Sequence, residues 1–428
     1  MEGEKMYRWA SDLFPICRSL TGPGVRETLR YLQDLLPELS MLEVPSGTQA
    51  FDWTVPNEWT IRDAYILNDA GERVVDFRAN NLHLVGYSIP VDAWYTRAEL
   101  DAHLHSIPEQ PDAIPYVTSY YAPYWGFCLT HAQRLALPDG RYRVVVDSTL
   151  APGVMNVGEL LVPGDQPEEV LLSANICHPS LANNEASGMV VVAALAQWLR
   201  ALPRRRYSYR LLFLPETIGS IWYVSTHLEE LRRRVRAGFV VTCAGDDRAY
   251  SYVPSRSGTT LADRVALHVL SSMVPDFNRY SFLDRGSDER QYCSPGVDLP
   301  VCSVMRSKYG TYPEYHTSLD DLRVINPQGL QGSFDVLRSC LEVLEENDHF
   351  QATFHCEPQL GKRGLYPSLS QAGGSREAQQ LLDILAYGDG AHDLISVAER
   401  LGVSAMSCQP AIRQLVRAGL LQRVAPGA

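Results

Sequence analysis

Three short strings concentrate side chains able to bind a metal ion or move a proton. In LLSANICHPSLANNEASG an apolar run leads into His178, and six residues later Asn184 opens an N-x-x-S-G turn. LFLPETIGS places Glu216 where an apolar run meets the Gly-Ser start of a helical pattern, and YGTYPEYHTSLDDL sets His316 in a polar loop beside Tyr315. Hydrolysis at a zinc centre needs imidazole and carboxylate groups from separate strand ends, a base beside the activated water and an open coordination position. His178 and His316 suit the ligand role. Glu216 suits a ligand or the general base, or, more plainly, a carboxylate favouring the positive end of a helix. Asp320 and Asp321, one turn beyond His316, are candidate hydrogen-bond partners for its imidazole.

Further charged groups surround these strings. Asn184 offers an oxygen but no charge, which suits zinc poorly and favours one ion over two. Glu185 could compensate only if it turned the same way as its neighbour, which consecutive residues do not ordinarily do. RGSDERQYCSPGVDLP packs Asp288, Glu289 and Arg290 into one turn. That charge either clamps a substrate's terminal ammonium or carboxylate or forms a surface ion-pair network. Asp246 and Asp247 follow the strand-like GFVVTCAG, as additional ligands or as ordinary turn residues. No glycine-rich phosphate loop or G-x-S-x-G elbow occurs in a strand-turn-helix setting, which leaves nucleotide-dependent and serine-hydrolase chemistry with little support.

The elements that must position these residues alternate. Helical spacing dominates residues 1–45, and from 46 to 150 β-branched and aromatic residues broken by Asn-Asp, Gly and Pro predict a mainly β insert. From 151 to 350 strands and helices alternate, predicting an α/β domain with a mainly parallel sheet flanked by helices. In such sheets ligands gather at the carboxyl ends of strands, where His178, Glu216 and Asp246 fall. A Gly/Ser/Pro-rich linker over 351–375 leads to residues 376–428, where helix, Gly turn and helix predict a winged-helix-like domain. From Arg376 onward five arginines face five acids, a poor surface for DNA.

The 428 residues are 45% hydrophobic, enough for a large core, and carry a net charge of −12, which argues against nucleic acid or an acidic membrane as partner. The acidic start MEGEKMYRWASDLF does not resemble a secretory signal, and no apolar stretch is long enough to span a bilayer. Nine scattered cysteines without a C-x-x-C pair fit a cytoplasmic protein with reduced thiols. A homo-oligomer is compatible with all of this.

The strings FPICRSLTGPGVRETL, WTVPNEWTIRDAYI, ICHPSLANNEASG, PETIGSIWY, SDERQYCSPGVDLP and YPEYHTSLDDL resemble, over nearly the whole chain, a bacterial aminopeptidase-like family of unassigned function (DUF4910). The resemblance implies a zinc-exopeptidase-like (phosphorylase/hydrolase-like) α/β fold with a protease-associated-like β insert and a C-terminal winged helix. It also implies zinc held by His178 and His316, with Asn184 standing where the family carries Asp, and a biosynthetic setting. The expectation is a cytoplasmic metallopeptidase-like hydrolase. It would cleave an amide next to a free amino group in a small peptide or aminoacylated metabolite, with Glu216 as base and Asp288, Glu289, Arg290 and Tyr315 binding the substrate. The alternatives are a degenerate enzyme acting as a binding or scaffolding protein, and a regulator working through the winged helix.

Overall fold

The structure, a computed structural model, describes residues 2–365 and 374–425. The chain divides into two compact units: Met1–Ala262 with Asn278–Asp335, and Asp263–Phe277 with Val336–Ala428.

In the first unit, α1 (Glu2–Leu13) and α2 (Pro23–Leu35) precede β1 (Ser40–Pro45). The insert contributes β2 (Glu58–Leu67), β3 (Arg73–Asp76), β4 (Val91–Thr96) and β5 (Arg141–Ala151), an antiparallel sheet ordered β3-β2-β5-β4. The chain then runs through β6 (Val154–Val162), β7 (Glu169–Asn175), α3 (Ser187–Ala201), β8 (Ser208–Leu214), α4 (Ile218–Arg234) and β9 (Val235–Val240). Three further strands, β10 (Ser251–Val253), β11 (Asn278–Arg279) and β12 (Val301–Met305), complete an eight-stranded sheet in the order β1-β6-β8-β7-β9-β12-β10-β11. Its centre, β8-β7-β9-β12, is parallel, while β6 against β8, β1 against β6 and β10 against β12 are antiparallel.

The sequence dictates the buried centre. All of β7, EVLLSAN, is buried, as expected of a strand covered on both faces by helices. Val190–Val192 break no helix in α3 because that helix is itself almost wholly buried, and burial outweighs the small propensity cost of β-branched residues. Residues 1–45 differ from a purely helical segment. Their last six residues form β1, an edge strand whose mixed burial lacks the clean alternation that would have marked it.

In the second unit, His349–Ala352 is the central strand of a three-stranded sheet, paired with both Asp389–Asp393 and Leu421–Val424. The sheet accompanies helices Gly374–Ala386, Leu394–Leu401 and Ala405–Arg417, a winged-helix arrangement. Its first strand therefore lies across the 350/351 boundary and partly inside the span expected to be linker. The part of the expected linker at 366–373 lies outside the described residues. No helix among the described residues is long and apolar enough to cross a membrane.

Candidate metal centre

His178 follows the carboxyl end of β7, and the turn that comes after it folds back to hold its ring. Residues Ala182–Ala186 make one wide turn before α3, the kind of irregularity often found at functional sites. The turn is pinned from outside. Asp320 accepts from the backbone N–H of Asn183 (2.7 Å) and Asn184 (2.9 Å), and Thr242 Oγ1 donates to the Asn184 carbonyl at 2.7 Å. Ser187 Oγ donates to the Asn183 carbonyl and accepts from Ala244 N–H. A side chain at position 188 would place its Cβ 2.2 Å from the Val241 carbonyl oxygen, so only glycine lets α3 start this close to the end of β9. That is the physical content of the S-G in the motif.

The turn delivers Glu185, fully enclosed, to His178. Its carboxylate accepts the backbone N–H groups of Cys177 and His178 (2.9 Å for the latter) and lies 2.9 Å from His178 Nδ1. The Glu185 carboxylate accepts from Nδ1–H, so Nε2 is the nitrogen left to bind a metal, which would displace its proton. Nε2 faces Glu216 Oε2 at 3.6 Å. Burial works against a charged His178 ring, but Cys177 and Glu185 more than offset it, so its pKa stands well above the ordinary value. Beneath, the fully buried Arg18 donates to the carbonyls of His178 (3.0 Å) and Leu13 (2.6 Å), placing a positive charge near Glu185.

Glu216 follows β8, with its backbone N–H donated to Cys177 Sγ at 3.3 Å. Thr217 takes φ 69°, an unfavourable conformation for a β-branched residue that persists only when neighbours enforce it. Asp288 Oδ1 accepts from Thr217 N–H and Ser220 Oγ (both 2.8 Å), and Arg290 Nη2 donates to Thr217 Oγ1 at 2.7 Å. Burial raises the Glu216 pKa, opposed by His178 and Arg290, and burial next to Glu216 pushes Asp288 up to about 8.

His316 reaches the site because its loop is zipped to the insert. Pro115 bridges Thr317, Tyr116 N–H donates to the His316 carbonyl (2.8 Å) and Ser318 N–H donates to the Ile114 carbonyl (2.8 Å). Its ring stacks on Tyr315 with centroids 3.9 Å apart, meets Tyr116 edge-on and lies 5.4 Å from the His178 ring. Nε2 is buried and has no hydrogen-bond partner. Burial, then the nearby His178, pushes the His316 pKa down to about 3, keeping the ring neutral. The two histidines, Glu216 and Arg290 line a cavity of about 360 Å³, walled by Leu20, Ile218, Tyr116, Tyr120, Tyr121 and Trp53.

The structure thus brings His178, Glu216, His316 and Arg290 together, and it gives the other candidates different work. Asp320 holds the Asn183–Asn184 turn and Tyr312 rather than His316, and Asp321 pairs with Arg323. Glu289 is enclosed by Gly286, Ser287, Tyr309 and Ser303, so it is not part of a surface clamp. Asp288 caps the start of α4 and is fully buried. Asp246 accepts from Arg248, Asn183 and Ser307, while Asp247 is exposed. Tyr315 reaches the cavity only through His316. Asn184 is buried off the cavity wall, with its Oδ1 unpartnered. Arg18, Tyr116 and Tyr120 went unnoticed in the sequence. An arginine within the apolar string FPICRSL was the one signal available.

This architecture has solved counterparts. A peptidase-labelled crystal structure from Clostridium acetobutylicum is 40% identical, with a TM-score of 0.93 over 99% of this chain and 96% of that one. A zinc aminopeptidase from Bacillus subtilis shares the fold with a TM-score of 0.58 at 12% identity, over 80% of this chain and 94% of that one. A curated relative from C. acetobutylicum, 41% identical over 99% of this chain and 97% of its own length, is provisionally named a polysaccharide biosynthesis protein with an aminopeptidase-like domain. The chain has an aminopeptidase-like fold and belongs to the family described as a domain of unknown function, DUF4910, which matches residues 7–347 and is followed by a winged helix-turn-helix matching 348–423.

Proposed function

We propose that the chain is a zinc-dependent hydrolase that cleaves an amide bond in a small peptide or acylated metabolite, with His178 and His316 holding the ion and Glu216 moving the proton. The observation that carries this is that His178, Glu216 and His316 line one cavity, with His178 Nε2 3.6 Å from Glu216 Oε2 and His316 Nε2 buried without a partner. A single ion at His178 Nε2 would lie beside Glu216 Oε2, 3.6 Å from that nitrogen, and His316 would have to close in to complete the set, since the three groups do not all lie within 4.8 Å of one another. Asn184 brings neither charge nor a place on the cavity wall, so a second ion lacks its carboxylate.

Bound zinc would supply Lewis acidity, polarising the scissile carbonyl and acidifying water. Glu216, 20% exposed at the cavity wall, takes the proton of the attacking water and passes it to the leaving nitrogen. Thr217, held at its backbone N–H by Asp288 and at its Oγ1 by Arg290, holds Glu216 in place. The aromatic wall excludes bulk water and restricts substrate size. The curated relative's name supports a biosynthetic setting, and nine free cysteines support the cytoplasm.

Asn184 favours a second reading, a binding protein that has lost turnover. The two part on the zinc-loaded Glu216→Gln variant tested against a panel of small amides that the wild type hydrolyses. Turnover should fall by about 10²–10⁴-fold with zinc content and melting temperature unchanged. A folded, active variant removes Glu216 from the mechanism, and a zinc-loaded wild type inert to every amide favours the binding protein.

A further inference from the structure

We infer that the cavity selects a substrate bearing a carboxylate, anchored by Arg290, and not one presenting a free ammonium beside the scissile amide. This rests on the hydrolase proposal for the same site and departs from the aminopeptidase pattern expected of the sequence. Two observations carry it.

The first is that Arg290 has no ion-pair partner among the described residues, although its charge acts on the nearby Glu216 and Asp288. The side chain lines the cavity and donates once, from Nη2 to Thr217 Oγ1. Its Nε is buried without a partner. A half-buried guanidinium is costly to leave unpaired, and its planar fork matches the two oxygens of a carboxylate.

The second is that no acid is free to receive an ammonium. Among the described residues Glu216 is the one carboxylate on the cavity wall, and the hydrolase proposal assigns it to the proton. Glu185, Glu289, Asp246 and Asp320 are each buried and satisfied by backbone and side-chain donors. Asp288 has a free Oδ2, but the residue is fully enclosed and does not line the cavity. An ammonium in this cavity would face Arg290 and compete with the reaction for Glu216. The aromatic and aliphatic wall suits an apolar group at the other end of the substrate.

The test is calorimetric binding to the full chain, stripped of metal and again with one equivalent of zinc, so that it does not depend on turnover. The probes are benzoylglycine (carboxylate), benzoylglycinamide (neutral) and glycine benzylamide (ammonium). In the metal-free protein benzoylglycine should bind about tenfold or more tightly than either of the others. Arg290→Gln should abolish that preference and Arg290→Lys should retain part of it. Equal or tighter binding of glycine benzylamide, no binding of benzoylglycine, or a preference that survives Arg290→Gln overturns the proposal. A chain that binds as expected but hydrolyses nothing refutes the hydrolase proposal alone. An active hydrolase that prefers the ammonium probe refutes only this one.

Discussion

Glu185 sets what His178 can do, because a ring whose Nδ1–H is held by a carboxylate has its other nitrogen fixed in place and made more basic. Replacing Glu185 by Gln keeps the shape but loses the charge and frees the ring to adopt the other tautomer. Zinc affinity, measured by competition with a chelator, should fall by about 10–100-fold. Unchanged affinity would show that Glu185 serves only the backbone N–H groups of Cys177 and His178. His178, Glu216 and His316 were legible in the sequence because imidazole and carboxylate at strand ends and in a polar loop are few. Glu185 was not, since the sequence weighs it only as a substitute for Asn184, and the wide turn over Ala182–Ala186 instead carries it to His178 Nδ1. Nor could the sequence show which acids are spent. Whether Asp246, Asp320 or Glu289 meets solvent or an N–H depends on segments far along the chain.

Gly188 and Thr217 show how elements hold the site. Gly188→Ala drives a Cβ into the Val241 carbonyl where α3 must start, so it should cost about 1–3 kcal/mol in thermal or denaturant unfolding. An unaffected melting temperature would mean that α3 can slide. In the second unit, Asp393 caps helix Leu394–Leu401 through Ser396 N–H and pairs with Arg264 at 2.7 Å. Burial opposes its charge, but Arg264, Ser396 and Asn347 more than offset this and hold its pKa well below the usual 3.8. Because the folded-state value is depressed, the contribution is full above the unfolded-state value and lost as pH falls through the folded one. The melting-temperature gap between wild type and Asp393→Asn should therefore be widest near neutrality and shrink as pH drops below 3.8. A gap independent of pH would contradict the ion pair. Alternating apolar strands and helices were readable from 151 onward because each buried run has its own period. The edge strand β1 and the strand His349–Ala352 were not, being short and only half covered.

At the scale of the whole molecule, charge argues for a small-molecule enzyme over a DNA-bound regulator. The chain carries −12 overall. In the winged helix Arg413 lies near Glu346, and Arg423 pairs with Glu346 and Asp348, so basic groups face acids of their own unit. Fluorescence anisotropy with duplex DNA at about 50 mM salt, where phosphate contacts are strongest, should show no binding, and salt-sensitive binding there would revive the regulator. The central claim is one zinc ion held by His178 and His316. Elemental analysis of protein purified without a metal-binding tag and dialysed against dilute zinc tests it most directly, alongside the His178→Ala/His316→Ala double variant. The result predicted is about one zinc per chain in the wild type and none in the folded double variant. No zinc in the wild type, or the same zinc content in both, would contradict it.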